Sequence, residues 1–235
     1  MAHTPRLYVD HPLSRGQTVP LGRDAAHRLF NVMRLETGAQ LLLFNGRDGE
    51  WRAEVAETGK RGGALLVSDQ SAPQRMPPDV WLLFAPIRKE RTDFIVEKAT
   101  ELGVARILPV QTDFTQGDRL RQERLQAHAI AAAEQCGGTY VPPVEPLTKL
   151  SARLDTWPAD RQVMFCDETT DEGDLPRMRG AWAIAIGPEG GFSARERDRL
   201  RALGHTVTLG PRILRADTAA VAALTLWQSQ LGDWR

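Results

Sequence analysis

Cysteine is scarce, with only Cys136 and Cys166 in 235 residues. Neither lies in CxxC spacing, which argues against a disulfide framework and against a cysteine-rich zinc site. The five histidines (His3, His11, His27, His128 and His205) are dispersed and form no HExxH pair, so no metal is expected. Apolar runs reach only six residues, as in Ala181 to Ile186 and Ala219 to Leu224. A membrane helix needs roughly 18, so no membrane partner is expected. The opening MAHTPRLYVD has no apolar stretch of the secretory kind, which predicts a cytoplasmic protein. Net charge is absent as well, because 30 basic side chains balance 30 acidic ones. The stretch from Met1 to Ala72 carries +1 and the remainder −1, so any contact with RNA must come from local arginines.

What is present is ordinary globular material, 42% apolar and 26% charged, long enough for one or two domains. The first 72 residues predict a compact β-barrel. Gln40 to Phe44 reads as a strand, Asn45 to Gly49 as a turn, and Trp51 to Glu57 as an alternating strand with Trp51, Ala53 and Val55 on one face. Ala64 to Ser68 follows as a third strand. One helix, Ala25 to Leu35 with Asp24 as its cap, is expected to turn Leu29, Val32 and Met33 inward and Arg28 outward. The Pro-rich residues 73–79 suit a linker.

From residue 80 to 235 strands alternate with helices. Val80 to Ala85, Arg106 to Val110, Val163 to Cys166, Ala181 to Ile186 and Thr206 to Leu209 read as strands. Between them fall helices over Asp93 to Leu102 (Phe94, Ile95, Ala99 and Leu102 inward), Asp118 to Glu134, and Ser193 to Leu203 with Ser193 as its cap and Gly204 as its end. That order predicts an α/β domain with a parallel sheet. The last helix, Asp217 to Gln230, is apolar nearly all round and needs cover on more than one side, from a partner subunit or from its own chain.

Two glycine-bearing segments follow the last two strands, Ile186-Gly187-Pro188-Glu189-Gly190-Gly191-Phe192 and Leu209-Gly210-Pro211-Arg212-Ile213-Leu214-Arg215. Neither is a phosphate loop, since no GxxxxGK[ST] or GxGxxG pattern occurs and Glu189 would repel phosphate. Backbone exposed between apolar walls suits a neutral or cationic ligand; the same segments also read as plain turns joining strand to helix.

Taken together, AIGPEGGFS and LGPRILRADTA resemble the RsmE family of ribosomal-RNA small-subunit methyltransferases. Arg6-Leu7-Tyr8, the run Glu97 to Gly103 and the run Ala132 to Gly137 agree with the same family, in order along the chain. The resemblance implies a PUA-like RNA-binding barrel followed by a SPOUT-class α/β domain whose C-terminal segments form a trefoil knot around S-adenosylmethionine (SAM). It implies a homodimer that methylates N3 of a decoding-region uridine in 16S rRNA of the small ribosomal subunit. Other SPOUT chemistry, such as ribose 2′-hydroxyl methylation, or a non-catalytic ribosome-assembly module, are the alternatives.

Carried onto this chain, the cofactor cleft is expected from Cys166, Ile186, Gly187, Glu189, Gly190, Gly191, Leu209, Gly210, Pro211, Ile213 and Leu214, with Asp167 beside Cys166. Arg215 is the candidate to stabilise a uracil anion, and Asp217 or Glu189 to accept its N3 proton; Asp217 could equally be a helix cap. Arg6, Arg23, Arg28, Arg34 and Arg212 are candidate RNA contacts. Lys98 and Glu101 suit a surface ion pair. Three departures from the family pattern stand out: Asp113-Phe114-Thr115 in place of Glu-Arg-Ser, Arg215-Ala216-Asp217-Thr218-Ala219 in place of Arg-Thr-Glu-Thr-Ala, and Gly138 in place of an arginine.

Overall fold

The structure, a computed structural model, describes residues 4–59, 61–116, 119–170 and 173–234. The chain divides into two units, Met1–Met76 with Ala133–Val141, and Pro77–Ala132 with Pro142–Arg235.

The first unit is built on a five-stranded sheet in the order β1 (Arg6–Tyr8), β3 (Gln40–Phe44), β4 (Glu50–Thr58), β5 (Gly63–Ala72), β2 (Thr18–Leu21). Strand β1 runs parallel to β3, and the other pairs are antiparallel. The Asn45 side chain closes the β3–β4 hairpin by accepting from the Arg47 and Asp48 amides, as an Asx turn does. Alternation along β4 buries Ala53 and Val55 beside Leu41, Leu43, Leu65 and Val67.

The helix of this unit departs from its expected form. A short α1 (Arg23–Ala26), with Gly22 rather than Asp24 at the N-cap position, runs into a π-helical stretch, His27–Val32. There Met33 N donates to Arg28 O, five residues back. The wider winding carries the apolar stripe off the 3.6-residue period. Leu29 stays buried, while Val32 and Met33 are turned out, 66% and 43% exposed.

The second unit is a six-stranded sheet in the order β11 (Gly204–Val207), β9 (Arg161–Cys166), β10 (Ala181–Ile186), β6 (Val80–Phe84), β7 (Arg106–Gln111), β8 (Thr148–Lys149). Every pair is parallel. The near-continuous apolar runs of β6, β9 and β10 reflect burial on both faces. Helix α6 (Ala216–Gln230) packs on α2 (Lys89–Glu101) and β10, whereas α5 (Ala194–Ala202) lies on β9 and β11 and meets α4 (Leu150–Asp155).

Several expected boundaries move. Phe94 is exposed rather than inward, because α2 begins at Lys89 and its buried stripe is Thr92, Ile95, Val96, Ala99 and Thr100. Helix α3 is Gln122–Cys136; its expected start at Asp118 lies outside the described residues. Helix α5 ends at its Leu203 cap, and Gly204 is already strand. Lys98 and Glu101 do pair, at 2.7 Å. Among the described residues no helix is long and apolar enough to cross a membrane.

Candidate functional site

All strands of the second sheet are parallel, so their carboxyl ends share one edge. In such sheets ligands bind just beyond that edge. Strand β9 lies between β10 and β11, with Ala185 level with Phe165 and Val207 level with Cys166. Neighbouring strands stand about 4.8 Å apart, so the loops leaving β10 and β11 start about 9.6 Å from each other, with the end of β9 between them. We call the stretch of the edge between these two loops, with Cys166 at the end of β9, the slot. Burial pushes the Cys166 thiol up to about 12, which keeps it protonated and makes it a neutral surface.

The loop after β10 is held from below. Phe192 packs edge-on against Phe165 at 5.4 Å, and a Cβ on Gly187 would lie 2.9 Å from the Phe192 ring. The Gly191 amide donates to Pro188 O, and Gly191 takes φ +69°, with Glu168 Oε1 2.3 Å from where a Cβ would stand. Only glycine meets both conditions. Ser193 and Glu196 then form a reciprocal capping box that starts α5, and Glu196 also accepts from the Asp113 amide. The Ser193 hydroxyl bonds to Asp113 at 2.6 Å. Glu189 and Gly190 at the tip are exposed, while Ile186 is buried at the strand end.

The loop after β11 is more open. Gly210 has φ +100° with free space around its α-carbon, Pro211 and Arg212 are exposed, and Leu209 and Leu214 are half-buried. Ile213 is 86% exposed, so it offers an apolar wall that the chain itself leaves uncovered. Arg215 is the N-cap residue of α6, in extended conformation. Asp217 is therefore not the cap, because it stands inside the first turn. Its carboxylate accepts from Arg91 of α2 at 3.1 Å and from the Thr218 amide at 3.0 Å. The ion pair draws the start of α6 onto α2.

Asp167 is buried and structural. Burial alone would raise its carboxyl, but hydrogen bonds from Thr169 and Arg201 outweigh that and hold it below the usual carboxylate value of 3.8. Glu189, Arg212 and Arg215 form no ion pair among the described residues. Nor do the described residues contain a cluster of three His, Cys, Asp or Glu that could hold a metal.

The arginines expected to face RNA separate into two groups. Arg6 does not belong with them. Its side chain is 5% exposed, Nε bonds to Glu50 at 2.7 Å, the terminal nitrogens donate to the carbonyls of Ala133, Glu134 and Gly138, and the guanidinium lies over Phe44. Four of its five N–H donors are taken inside the first unit. Ala133, Glu134 and Gly138 lie in the 133–141 segment of that unit. Arg28 makes a two-pronged pair with Glu134, both contacts at 2.8 Å, and is half-exposed. Arg23 and Arg34 are exposed, Arg34 in the left-handed region at φ +58°. Arg34 directly follows the exposed Val32 and Met33.

Sequence reasoning missed Arg91 and gave Phe114 no role. Nothing in the residues around Arg91 signals a partner 126 positions away. Phe114 is 49% exposed and stands against Gly190, 3.3 Å from where its Cβ would be. The departure at Asp113-Phe114-Thr115, already visible in the sequence, was the available signal.

A family model for an RNA methyltransferase domain matches residues 74–228, and one for an RNA methyltransferase PUA domain matches residues 21–67. A crystal structure of ribosomal RNA small subunit methyltransferase E from Neisseria gonorrhoeae, bound to S-adenosyl methionine, superimposes with a TM-score of 0.91 at 31% identity, covering 99% of this chain and 100% of that one. A Legionella pneumophila protein in complex with bound SAM gives 0.92 at 29% identity, with the same coverage. Ribosomal RNA small subunit methyltransferase E of Rickettsia conorii is 28% identical over 93% of each chain. The domain match alone spans more than half of the sequence. The chain belongs to the RsmE family of RNA methyltransferases, with a PUA-like unit ahead of a SPOUT-type α/β unit.

Proposed function

We propose that this protein is a SAM-dependent methyltransferase of 16S rRNA in the small ribosomal subunit, and that its product is N3-methyluridine in the decoding region. The observation that carries the reading is the slot over Cys166. Two glycine-bearing loops stand on either side of one strand end, in a family whose members bind SAM at 29–31% identity to this chain. The residues present fit the cofactor. Leu209, Ile213 and Leu214 offer apolar walls while Ile186 is buried at the strand end, Cys166 carries no charge, and Gly190, Gly210 and Pro211 are exposed, with Gly187 half-buried and Gly191 buried. No cation stands in the first loop to repel a sulfonium, and Glu189 there favours one.

The cofactor, once bound, supplies an electrophilic methyl group. The chain's own residues must present a nucleophile to it. Uracil N3 is protonated and poor in that role, so the site has to hold the base in line and take up the proton. Arg215 projects five donors from the N-cap of α6, and its planar guanidinium stabilises the negative charge that builds on a uracil carbonyl oxygen. Arg212 holds a flanking phosphate or assists Arg215. Glu189 accepts the N3 proton, directly or through water. Asp217, engaged by Arg91, acts instead as a positioning residue for α6 and hence for Arg215. Orienting the base against the methyl provides a large share of the acceleration.

The same reading includes three features of the whole molecule. The C-terminal segment is threaded as a trefoil knot. In support, the chain moves inward from β9 to β10 and then outward past β9 to β11, and Thr208 N, just after β11, bonds to Gly173 O in the β9–β10 connection. The protein is a homodimer, because Val221, Ala222 and Leu226 of α6 remain partly open after the intramolecular contacts are made. It works in the cytoplasm, where ribosomes are assembled.

Titration calorimetry with SAM and nucleoside mass spectrometry of rRNA from cells with and without the gene test the reading. The expected result is 1:1 binding per chain and loss of N3-methyluridine from 16S rRNA in the deletion strain. A missing 2′-O-methyl nucleoside instead would transfer the protein to other SPOUT chemistry, and no lost nucleoside with no SAM binding would leave a non-catalytic module. Glu189→Gln is expected to lower kcat at saturating SAM by about 10²-fold, the usual scale for a general base, and to weaken SAM binding as well because the carboxylate facing the sulfonium is lost.

A further inference from the structure

The same carboxyl edge of the second sheet holds a cavity of about 480 Å³ that the slot over Cys166 does not account for. It opens between the connection after β6 and the segment after β7. Pro86, Ile87, Leu120 and Leu147 form its apolar part, and Lys89, Arg119, Arg121 and Arg124 its charged part. No carboxylate is in the lining. Arg124 is committed to Asp93, whereas Lys89, Arg119 and Arg121 are exposed and make no ion pair among the described residues.

The charge decides what can enter. A sulfonium or any other cation is disfavoured by three positive groups that make no ion pair among the described residues. An anion with several acceptor oxygens is favoured, and the two arginine forks suit phosphate geometry. The cavity also has a fixed relation to the slot, because it shares two elements with it. Gln116 in its wall lies two residues beyond Phe114, which stands on Gly190. Lys89 lies two residues before Arg91, which is paired with Asp217 behind the second loop. These two elements give a strand that presents a base at the slot a route to the cavity.

We propose that this cavity is a subsite for the phosphodiester backbone of the substrate RNA, next to the reacting nucleotide, with Lys89, Arg119 and Arg121 as the phosphate ligands. The inference rests on the functional reading above. It divides the work, in that the glycine loops take the methyl donor and the cation-lined cavity fixes the register of the strand. The zero net charge of the chain is then no obstacle, since the positive potential is local.

Fluorescence anisotropy with a labelled single-stranded oligouridylate, across a KCl series, tests it on the full-length protein. Neutralising two phosphate contacts on a single strand removes about 1.4 from the slope of log K against log salt. Arg119→Ala/Arg121→Ala is expected to show that loss and a weakening of RNA binding by about ten-fold at low salt. Arg119→Lys/Arg121→Lys keeps the slope, and the SAM affinity of both variants matches wild type, which also confirms that they fold. An unchanged slope and affinity in the Ala pair, with SAM binding intact, overturns the proposal. If wild-type protein binds the oligonucleotide with this arginine dependence but methylates no rRNA, the functional reading fails while the phosphate subsite stands. If methyl transfer is normal in the Ala pair at all RNA concentrations, the subsite fails and the functional reading stands.

Discussion

At the scale of single residues, the decisive question for each charged group is where its hydrogen bonds go. Arg6 illustrates this. An arginine three residues into the described chain reads as a mobile phosphate contact, but its guanidinium is enclosed by Glu50, three carbonyl oxygens and the Phe44 ring. Removing one partner of such a pair leaves the other charge and the carbonyls buried without donors, a loss of about 3–5 kcal/mol. Arg6→Ala is therefore expected to lower the thermal midpoint sharply, and Arg6→Ala/Glu50→Gln to recover part of the loss. Equal midpoints for Arg6→Ala and wild type in a melting scan would contradict the enclosure. Asp217 makes the same point at the site. Its sequence position beside a helix start suggests a cap or a base, yet the ion pair with Arg91 gives its oxygens another task.

At the scale of elements, the placement of the two glycine-bearing loops depends on how closely the strands beneath them pack. Gly204 shows how little room β9 leaves. A Cβ there would lie 2.0 Å from the Val163 carbonyl oxygen, which is rigid sheet backbone. Gly204→Ala must push β11 away from β9, an overpacking change that costs about 1–3 kcal/mol. Because Leu209 to Arg215 follows β11 directly, SAM affinity in calorimetry is expected to fall together with the thermal midpoint. Unaltered SAM binding would show that β11 does not position the second loop. The π-helical stretch His27–Val32 is a second element whose winding matters, since it turns Val32 and Met33 outward beside Arg28 and Arg34. Apolar and cationic groups side by side suit unstacked RNA, which is read by stacking and by phosphate contact together.

At the scale of the whole molecule, the last helix links fold to assembly. Its inner face is filled, with Ala220, Ala223, Leu224 and Trp227 buried, while Val221, Ala222 and Leu226 keep partial access to solvent. In the homodimer proposed above, this face would be covered where two copies meet about a two-fold axis. Light scattering is expected to give the mass of a dimer for the wild-type chain and of a monomer for Leu226→Asp. A monomeric wild type would remove the assembly from the functional reading and leave the slot over Cys166 unaffected.

The amino-acid sequence by itself determined the two-part grammar of this protein, because residue periodicity is a local property. Period-two alternation in β4, the apolar runs of β6 and β10, and the Ser193 cap of α5 all follow from neighbours within a few positions. The two glycine-bearing loops were legible for the same reason, and their resemblance to one family supplied the chemistry. Tertiary structure alone decided the rest. The pairing of Arg91 with Asp217, the enclosure of Arg6, the contact of Phe114 with Gly190 and the order β11-β9-β10 join residues tens of positions apart, and no local pattern encodes those distances. The π-helical winding belongs to the same class. A one-residue change in hydrogen-bond register rotates every later side chain, so packing, not composition, determined which way Val32 and Met33 face.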